Sequence, residues 1–329
     1  MADGYKPPFT ITEEITNLVI EIGELTGAIT LKEKMSTNLI LRRENRIRSI
    51  HSSLAIEQNT LTMEQVSDVI NGKRVLGPPQ DIREVQNAYE AYEMLTMLNP
   101  YSGEDLLRAH NIMMTDLVKE SGIFRSKGVG VYNGSELIHA GTPPQYVPDL
   151  VSELFAWLKD SSLHPLIKSC IFHYEFEFIH PFADGNGRIG RLWHTLILSK
   201  WKEFFLWLPI ETLIKERQEN YYKALNAANT KGESTIFVHF MLCVIRDTLK
   251  ELVTDNLENS MEGTNETNEV RVVFLLLENG KLSAKRLAAE IGISERQVER
   301  IVKGLRASGK IQRIGANKGG YWQVNQQEG

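Results

Sequence analysis

Hydrophobic residues recur at intervals of three and four through most of the chain up to about residue 265, which is the spacing of amphipathic helices. Between residues 82 and 98 one stripe carries Val85, Ala88, Tyr89, Tyr92 and Leu95. The same spacing predicts further helices over residues 102–118, 148–158, 166–178, 186–200, 214–229 and 237–252. The pattern therefore predicts a mostly α-helical fold.

One segment departs from the helical pattern. Residues 122–144 contain five glycines, and β-type residues stand on both sides of Asn133-Gly134. An Asn-Gly pair between such residues indicates a β-hairpin turn. A single hairpin among helices is typical of a small flap rather than of a sheet.

The pattern changes again towards the C-terminus. Residues 254–267 are polar and predict a linker or a frayed helix end. After it, Val270, Val273, Phe274 and Leu277 make one helix face. Ser283 and Ser294 then stand as N-caps of two short helices, over residues 284–290 and 295–307. Two short strands, over residues 310–314 and 321–324, complete a pattern that resembles a winged helix-turn-helix.

Charge is distributed unevenly between these two parts. Residues 268–329 hold 11 Lys and Arg against 6 Asp and Glu, a balance of +5, whereas the whole chain carries −5. The body of the chain is therefore acidic at −10. A basic C-terminal unit on an acidic body predicts two different partners.

Composition is that of an ordinary globular protein, with 42% hydrophobic and 24% charged residues. The N-terminus has no basic start followed by an apolar run, and the apolar stretches are too short to span a bilayer. We therefore expect a cytoplasmic protein without a membrane partner. Neither Cys170 nor Cys243 has the electropositive surroundings of a catalytic thiol.

The stretch His180–Arg191 reads HPFADGNGRIGR and carries the densest chemistry of the chain. Gly185, Asn186 and Gly187 stand where an irregular loop enters a predicted helix. Glycines let backbone N–H groups converge on one point, and a helix N-terminus adds positive partial charge. The sequence therefore predicts a backbone cradle for phosphate.

Four side chains around this cradle supply what phosphoryl-type transfer requires. Arg188 and Arg191 lie three residues apart on one helix face, so their guanidinium groups can hold a polyphosphate. Asp184 is a carboxylate placed to hold Mg²⁺ between phosphates. His180 can act as a general base near neutral pH. Each feature alone is usually structural, and it is their conjunction that indicates a nucleotide site.

Residues 180–191 match every specified position of the signature of the Fic family, H-x-F-x-[DE]-G-N-G-R-x-x-R. The chain resembles this family from about residue 7 to residue 253. The resemblance implies a mostly helical Fic core with a β-hairpin flap, followed by a winged helix-turn-helix domain. The predicted divisions are an N-terminal helical region over 1–100 with an inhibitory helix at about 37–58, a Fic core over 101–253, a linker over 254–267 and a winged helix over 268–329.

The resemblance implies an enzyme that transfers AMP from ATP to Ser, Thr or Tyr hydroxyls of proteins, itself included. His180 would deprotonate the hydroxyl, Asp184 would carry Mg²⁺ between the α- and β-phosphates, and Phe182 would anchor the loop. Kinase-like relatives have Lys at the position of Gly187, so this chain favours AMP transfer. The implied nucleotide contacts are the Gly185 and Gly187 amides, the Asn186 side chain, Arg188, Arg191, Tyr221, Tyr222 and Asn229.

Two of these implications have alternatives or extensions. Tyr221 also fits the core position of an amphipathic helix, without any contact to adenosine. Residues 127–140 match the family's flap, which aligns a target chain as an added strand. A protein substrate docked on this flap is therefore the predicted partner, and a second copy of the chain is left open.

Many Fic proteins carry an inhibitory helix with the pattern [ST]-x-x-x-E-[GN], and Ser53 and Glu57 fit it. The resemblance implies that the Glu57 carboxylate pairs with Arg191 and displaces the phosphates of ATP. Gln58 departs from the pattern, because glutamine does not favour the left-handed conformation that Gly or Asn adopts there. An ordinary surface glutamate is the alternative, since three other pairs share the spacing: Thr10 and Glu14, Thr60 and Glu64, Thr212 and Glu216.

Two further functions stay open at this point. The chain could be a bifunctional enzyme that also removes AMP, with Glu57 orienting the water. It could also be a DNA-binding regulator whose Fic core only senses a nucleotide. For the winged helix we expect DNA contacts at Arg296, Gln297 and Arg300, with docking of a protein as the equal alternative.

Overall fold

The computed structural model describes residues 5–33, 39–133, 136–261, 268–315 and 320–324. The chain divides into two compact units. One unit comprises Met1–Ser36 and Arg43–Val253, and the other comprises Thr37–Arg42 and Thr254–Gly329. Each unit is held by its own buried apolar side chains.

The first unit is helical, as the spacing of its apolar residues predicts. Among the described residues, no helix has both the length and the apolar character needed to cross a membrane. The helices are α1 (Glu13–Glu33), α2 (Leu39–Ile56), α3 (Met63–Ile70), α4 (Pro79–Glu93), α5 (Gly103–Met114), α6 (Val147–Asp160), α7 (Pro165–Ile179), α8 (Asn186–Trp201), α9 (Ile210–Glu216), α10 (Gln218–Lys231) and α11 (Thr235–Met261).

Several helices differ from their predicted bounds, and α4 and α5 end at Glu93 and Met114, four or five residues before the predicted ends. The single helix expected over residues 214–229 is broken at Arg217, whose guanidinium turns to Asp247 of α11 at 2.7 Å. The α11 helix continues through Met261 into the predicted linker, because no Gly or Pro interrupts the sequence before Gly263. Residues 262–267, the rest of that linker, lie outside the described part of the chain.

The centre of the first unit is the pair α7 and α8, which are apolar on almost every side and correspondingly buried. Phe172 and Phe176 of α7 and Trp193 of α8 have no exposed surface. The connection between the two helices is residues 180–185, the loop singled out by the sequence. That loop therefore begins and ends on the most rigidly packed elements of the unit.

The predicted hairpin is present as β1 (Gly130–Asn133) and β2 (Glu136–Ala140), paired antiparallel with an irregularity between Val131 and Tyr132. The expected turn at Asn133-Gly134 runs into residues 134–135, which the structure does not describe. Gly141 follows the second strand, and a Cβ there would lie only 2.8 Å from the Val129 side chain. The hairpin is thus closed at its base by a residue that must lack a side chain.

The second unit is a winged helix-turn-helix. Ser283 and Ser294 cap their helices as predicted, and Gly280 accepts a hydrogen bond from the amide of Trp322 at 2.7 Å. The expected turn between the strands falls on residues 316–319, outside the described ranges. Its elements are α12 (Asn268–Glu278), α13 (Ala284–Ile291), α14 (Glu295–Ala307), β3 (Ile311–Ile314) and β4 (Tyr321–Val324).

Of the α12 face that the sequence predicts, Val273 packs against the core of the unit and Leu277 does not. Leu277 is 53% exposed, whereas Val272, Leu275 and Leu276 are buried. The α12 helix packs against α13, α14 and β4, so its buried surface is set by several neighbours and not by one stripe. The side chains of Val270 and Phe274 are not among those described.

A stacked pair of rings anchors the loop between α7 and α8. Phe182 is fully buried, as predicted, and its ring lies 3.6 Å from that of His110 in α5 with an interplanar angle of 8°. His110 Nδ1 accepts from the Gly122 amide at 2.8 Å, which leaves Nε2 to donate to the Asp184 carbonyl at 3.0 Å. Burial lowers the pKa of His110 to about 4, so the ring is neutral at pH 7.

We expect the free energy of unfolding to fall as the pH drops from about 6.5 to about 4. In this range His110 is protonated in the unfolded chain but not in the folded one. The variant His110→Gln lacks this titration. It should be less stable than wild type at pH 7 by about 1–3 kcal/mol, the cost of a lost buried hydrogen-bond partner. It should, however, lose less stability between pH 7 and about pH 4.5. Urea unfolding of both proteins at both pH values measures this.

The comparison isolates His110, because other buried groups titrate in both proteins. Burial lowers the pKa of His194 to about 4 as well, and burial raises the pKa of Glu177 to about 8. Parallel losses of stability in the two proteins on acidification would contradict the prediction.

Candidate active site

The site is built on the loop at residues 180–185. His180 ends α7 in the left-handed conformation, with φ 52° and ψ 62°, and its amide donates to the Phe176 carbonyl at 2.9 Å. Its side chain is 20% exposed, and Nδ1 lies 3.3 Å from the Glu177 carbonyl oxygen. The predicted base thus sits at the mouth of the site on a strained backbone.

The predicted cradle, Gly185–Gly187, lies at the start of α8. Gly185 has φ 82° and begins α8 as its N-cap, and a Cβ there would lie 2.6 Å from the Met114 sulphur. We expected the Asn186 side chain to hold phosphate. Instead it is buried, accepting from the Phe182 amide at 2.8 Å and donating to the Phe182 carbonyl at 2.9 Å. The amide group of Asn186 therefore shapes the loop.

Arg188 and Asp184 contact each other at the open side of the loop. The buried Arg188 guanidinium lies 3.3 Å from a carboxylate oxygen of Glu84 in α4 and 3.3 Å from Oδ1 of Asp184. Asp184 Oδ1 also accepts from the Gly185 amide at 2.6 Å. The two contacts orient the Asp184 carboxylate, which is 59% exposed.

A divalent cation fits Asp184 only together with a ligand. The described residues contain no group of three or more His, Cys, Asp or Glu that could hold a metal ion. Mg²⁺ is commonly bound by one or two carboxylates together with substrate phosphates and water. A single exposed, oriented carboxylate beside an anion cradle matches that mode.

Arg191 joins α8 to the end of α2. Its Nε donates to the Ser53 hydroxyl at 3.0 Å, and its Nη2 donates to the Ser53 carbonyl at 3.0 Å and to the Glu57 carboxylate at 2.8 Å. Burial lowers the pKa of Arg191, but Glu57, Tyr221 and Glu177 together outweigh that effect and raise the pKa above its ordinary value. Its side chain is 2% exposed, while that of Glu57 is 32% exposed.

The end of α2 turns back despite the glutamine at position 58. Gln58 adopts a left-handed conformation with φ 71°, and the Asn59 amide donates to the Leu54 carbonyl at 3.1 Å. Such a conformation costs an L-residue about 1–2 kcal/mol. The helix end therefore has the geometry that the family pattern assigns to Gly or Asn. A Cβ at Gly187 would collide with the Glu57 carboxylate, so that carboxylate lies against the first turn of α8.

The predicted adenosine contacts separate into different environments. Tyr221 is 2% exposed, and its hydroxyl lies 3.1 Å from Nε2 of His173, so it is a core residue here. Tyr222, one position along, is 45% exposed. Asn229 is partly buried, and its side-chain oxygen has no hydrogen-bond partner within the described chain. Of the three, Tyr222 has an exposed side chain that a ligand can reach, whereas the Asn229 oxygen is buried.

Sequence reasoning passed over Glu177, which faces the site from α7. Its carboxylate oxygens lie 4.0 Å from His180 Nδ1 and 3.9 Å from His173 Nε2. Burial raises the pKa of Glu177 to about 8, against the opposing effect of Arg191. A signal was present in the sequence, because Glu177 is a charged residue inside the apolar stretch HYEFEFI.

On the second unit, the predicted DNA contacts lie on α14. Arg296 and Arg300 are exposed. Gln297 is exposed too, but its side chain accepts from the Ser294 amide at 3.0 Å and completes the capping box of its own helix. The two arginines are therefore the better placed for a ligand.

Two family models match the chain. The model described as the Fic/DOC family matches residues 100–198, and the model described as winged helix-turn-helix DNA-binding matches residues 266–312. The first range includes the whole loop at 180–191. The second includes all three helices of the second unit.

Curated relatives match part of the chain. Protein adenylyltransferase fic-1 of Caenorhabditis briggsae is 30% identical over 215 residues, which cover 61% of this chain. Protein adenylyltransferase Fic of Drosophila virilis is 27% identical over 63% of this chain. The matched region spans about 40% of the length of these relatives. A solved fragment of Fic-1 from C. elegans, 22% identical with a TM-score of 0.61, shares the fold.

One solved structure matches the chain over its full length. The Fic family protein from Desulfovibrio desulfuricans G20 is 43% identical, with a TM-score of 0.74. The match covers 99% of this chain and 100% of that one. This full-length likeness agrees with the matching family model and with the signature loop between α7 and α8. The chain therefore belongs to the Fic family.

Proposed function

We propose that this Fic protein is a protein adenylyltransferase, which moves AMP from ATP onto a hydroxyl group of a protein. The observation that carries the proposal is the convergence of His180, Asp184 and Arg191 with the Gly185–Gly187 turn at the N-terminus of α8. A helix N-terminus can bind phosphate, and the proposed base and carboxylate lie beside it. Relatives named protein adenylyltransferase support the same activity.

In the proposed reaction, His180 takes the proton of the target hydroxyl as its oxygen attacks the α-phosphorus of ATP. The bond between the α-phosphorus and the oxygen bridging to the β-phosphate breaks, and pyrophosphate leaves. The cradle at Gly185–Gly187 and Arg191 hold the phosphates, while Arg188 keeps Asp184 oriented. Mg²⁺ bound by Asp184 and the phosphates would neutralise charge that develops on the leaving group.

The flap is the proposed docking edge for the target. An extended peptide can pair with an exposed strand of a two-stranded hairpin through main-chain hydrogen bonds. The α10 helix, which carries Tyr222, contacts β2 of the flap. This arrangement places the α10 helix beside the flap on which the peptide would lie.

We further propose that Glu57 inhibits the enzyme. Its carboxylate holds Arg191 at 2.8 Å and lies against Gly187, where a phosphate of ATP would otherwise bind. A charge-assisted hydrogen bond is worth about 1.5–3 kcal/mol, or roughly a 10- to 150-fold bias towards this closed arrangement. ATP could bind only with its phosphates displaced, so that the α-phosphorus would not face the hydroxyl in line.

The variant Glu57→Gly should raise self-modification about tenfold or more, because it frees Arg191 for the phosphates. Its stability without ATP should fall, because the buried Arg191 loses its counter-charge, and added ATP should restore part of it. Incorporation of α-labelled ATP by the two proteins under the same conditions measures this. A matched control is Glu64→Gly, an exposed glutamate four residues after Thr60 that shares the spacing but does not contact Arg191.

Two further measurements complete the experiment. With His180→Ala added to Glu57→Gly, ATP should still bind while incorporation stops, because only the base is lost. Label that appears and then decays in wild type, but persists in Glu57→Gly, would indicate that Glu57 also serves AMP removal. Equal incorporation by folded wild type, Glu57→Gly and Glu64→Gly would rule out the inhibitory role.

DNA binding by the second unit is a second candidate function. The unit matches a winged helix-turn-helix model described as DNA-binding, and its residues 268–329 carry a charge of +5. Arg296 and Arg300 are exposed near the start of α14, the second helix of the helix-turn-helix. In that fold, the N-terminal residues of this helix enter the major groove.

The double variant Arg296→Glu, Arg300→Glu should bind duplex DNA at least about tenfold more weakly than wild type in low salt. The slope of log affinity against log salt concentration should become less negative by up to about two, because two phosphate contacts are lost. Fluorescence anisotropy of a labelled duplex over a salt series measures both. Arg108→Glu, an exposed charge reversal in the first unit, should bind like wild type. No affinity in wild type would favour the protein-docking role, and equal affinity in the double variant would refute these contacts.

A further inference from the structure

Arg125 connects the start of the loop between α7 and α8 to the flap. Its side chain is 2% exposed, and its guanidinium donates to four backbone carbonyls. Nε reaches the His180 carbonyl at 2.6 Å, and Nη2 reaches that of Ile179 at 3.2 Å. Nη1 reaches the Lys127 carbonyl at 2.9 Å, and Nη2 also reaches that of Thr142 at 2.5 Å. Four of its five N–H groups are used in this way.

Two of these contacts, with one from the backbone, hold the strained part of the loop. His180 has φ 52°, which is unfavourable for a residue with a Cβ and persists only where its surroundings hold it. The Arg125 amide donates to the Pro181 carbonyl at 3.0 Å, so Arg125 contacts three successive carbonyls, those of Ile179, His180 and Pro181. The orientation of the His180 side chain follows from this backbone.

The other two contacts hold both ends of the flap. Lys127 precedes β1 and Thr142 follows β2, so a single planar group ties the two feet of the hairpin together. The adjacent Gly141 leaves room for it, because a Cβ there would lie 3.2 Å from Nη2. A peptide that pairs with the flap would act on the backbone at Lys127 and Thr142. Because both are bound to the Arg125 guanidinium, the effect would reach the backbone of His180.

The electrostatics show that Arg125 is not held by an ion pair. In the described ranges it forms no salt bridge, and its charge is compensated only by carbonyl dipoles. A buried cation without a counter-charge is costly unless its donors are satisfied. A lysine would keep the charge, but its single nitrogen cannot span carbonyls on two segments.

We propose that Arg125 is a positioning residue, which couples the docking of a target peptide on the flap to the orientation of His180. This inference rests on the adenylyltransferase function proposed above. Arg125 touches neither the nucleotide cradle nor the Asp184 carboxylate, so its loss should lower the rate of transfer and leave the binding of ATP unchanged.

The experiment compares Arg125→Ala, Arg125→Lys and Arg108→Ala in the Glu57→Gly background, with α-labelled ATP at saturating concentration. We expect full stoichiometry of ATP binding, with Kd within about threefold of the parent, for all three. The rate of a single turnover should fall at least about 30-fold for Arg125→Ala and at least about tenfold for Arg125→Lys. Arg108 is exposed on α5, and its removal should have no effect.

Two readouts separate positioning from general damage. Millimolar ethylguanidinium should restore Arg125→Ala at least about fivefold, whereas a merely destabilised protein would not gain from it. Amide hydrogen exchange should quicken at least about tenfold in both tied segments, residues 127–142 and 179–182, without a change in α8. This second readout needs no activity.

The outcomes are distinguishable. A parent that takes up no label would refute the proposed function, and hydrogen exchange alone would then decide whether Arg125 ties the two segments. A labelled parent with Arg125→Lys at the parent's rate would overturn the coupling. Should Arg125→Ala fail to bind ATP stoichiometrically, Arg125→Lys carries the test.

Discussion

The rest of the structure depends on one constraint, that an irregular loop joins two helices buried on almost every side. Pro181 and Phe182 in this loop are buried away from water, so protein groups must satisfy the backbone there. The Asn186 side chain accepts from the Phe182 amide, His110 donates to the Asp184 carbonyl, and Arg125 donates to the His180 carbonyl. Each of these contacts fixes one part of the loop, and the Gly185 amide is used in the same way, since it donates to the Asp184 carboxylate.

The same burial explains the charges around the site. Arg191 is 2% exposed and cannot be left without an anion, so a carboxylate or a phosphate must be near it. Glu57 meets this need from the end of α2. The inhibition that we propose is therefore a competition between two anions for one buried cation. The protein's own carboxylate has the advantage of being tethered.

Positioning and binding are carried by different groups. Arg191 and the glycine turn face the place where the phosphates of the proposed substrate would lie, whereas Arg125 and His110 act on the backbone behind it. The proposed chemistry needs both, since transfer is governed by the alignment of the hydroxyl, base and α-phosphorus. The flap belongs to the second group, because its two feet share Arg125 with His180.

By itself, the sequence determined the helical class, the hairpin, the winged helix and the loop at residues 180–191. Those features are local: apolar spacing, an Asn-Gly pair, serine caps and a short run of glycines act on their immediate neighbours. It also predicted that Phe182 is buried and that Glu57 pairs with Arg191. Both came from the family pattern rather than from periodicity.

Only the tertiary structure decided how distant segments meet. The turn of Asn186 onto Phe182, the burial of Tyr221 and the roles of His110 and Arg125 arise from contacts between residues that lie on different elements or point to an unexpected side. It also placed Gln58 in a left-handed conformation that its own preference disfavours. The free energy gained by packing many side chains exceeds the conformational preference of one residue by several kcal/mol. Local sequence therefore cannot predict these contacts.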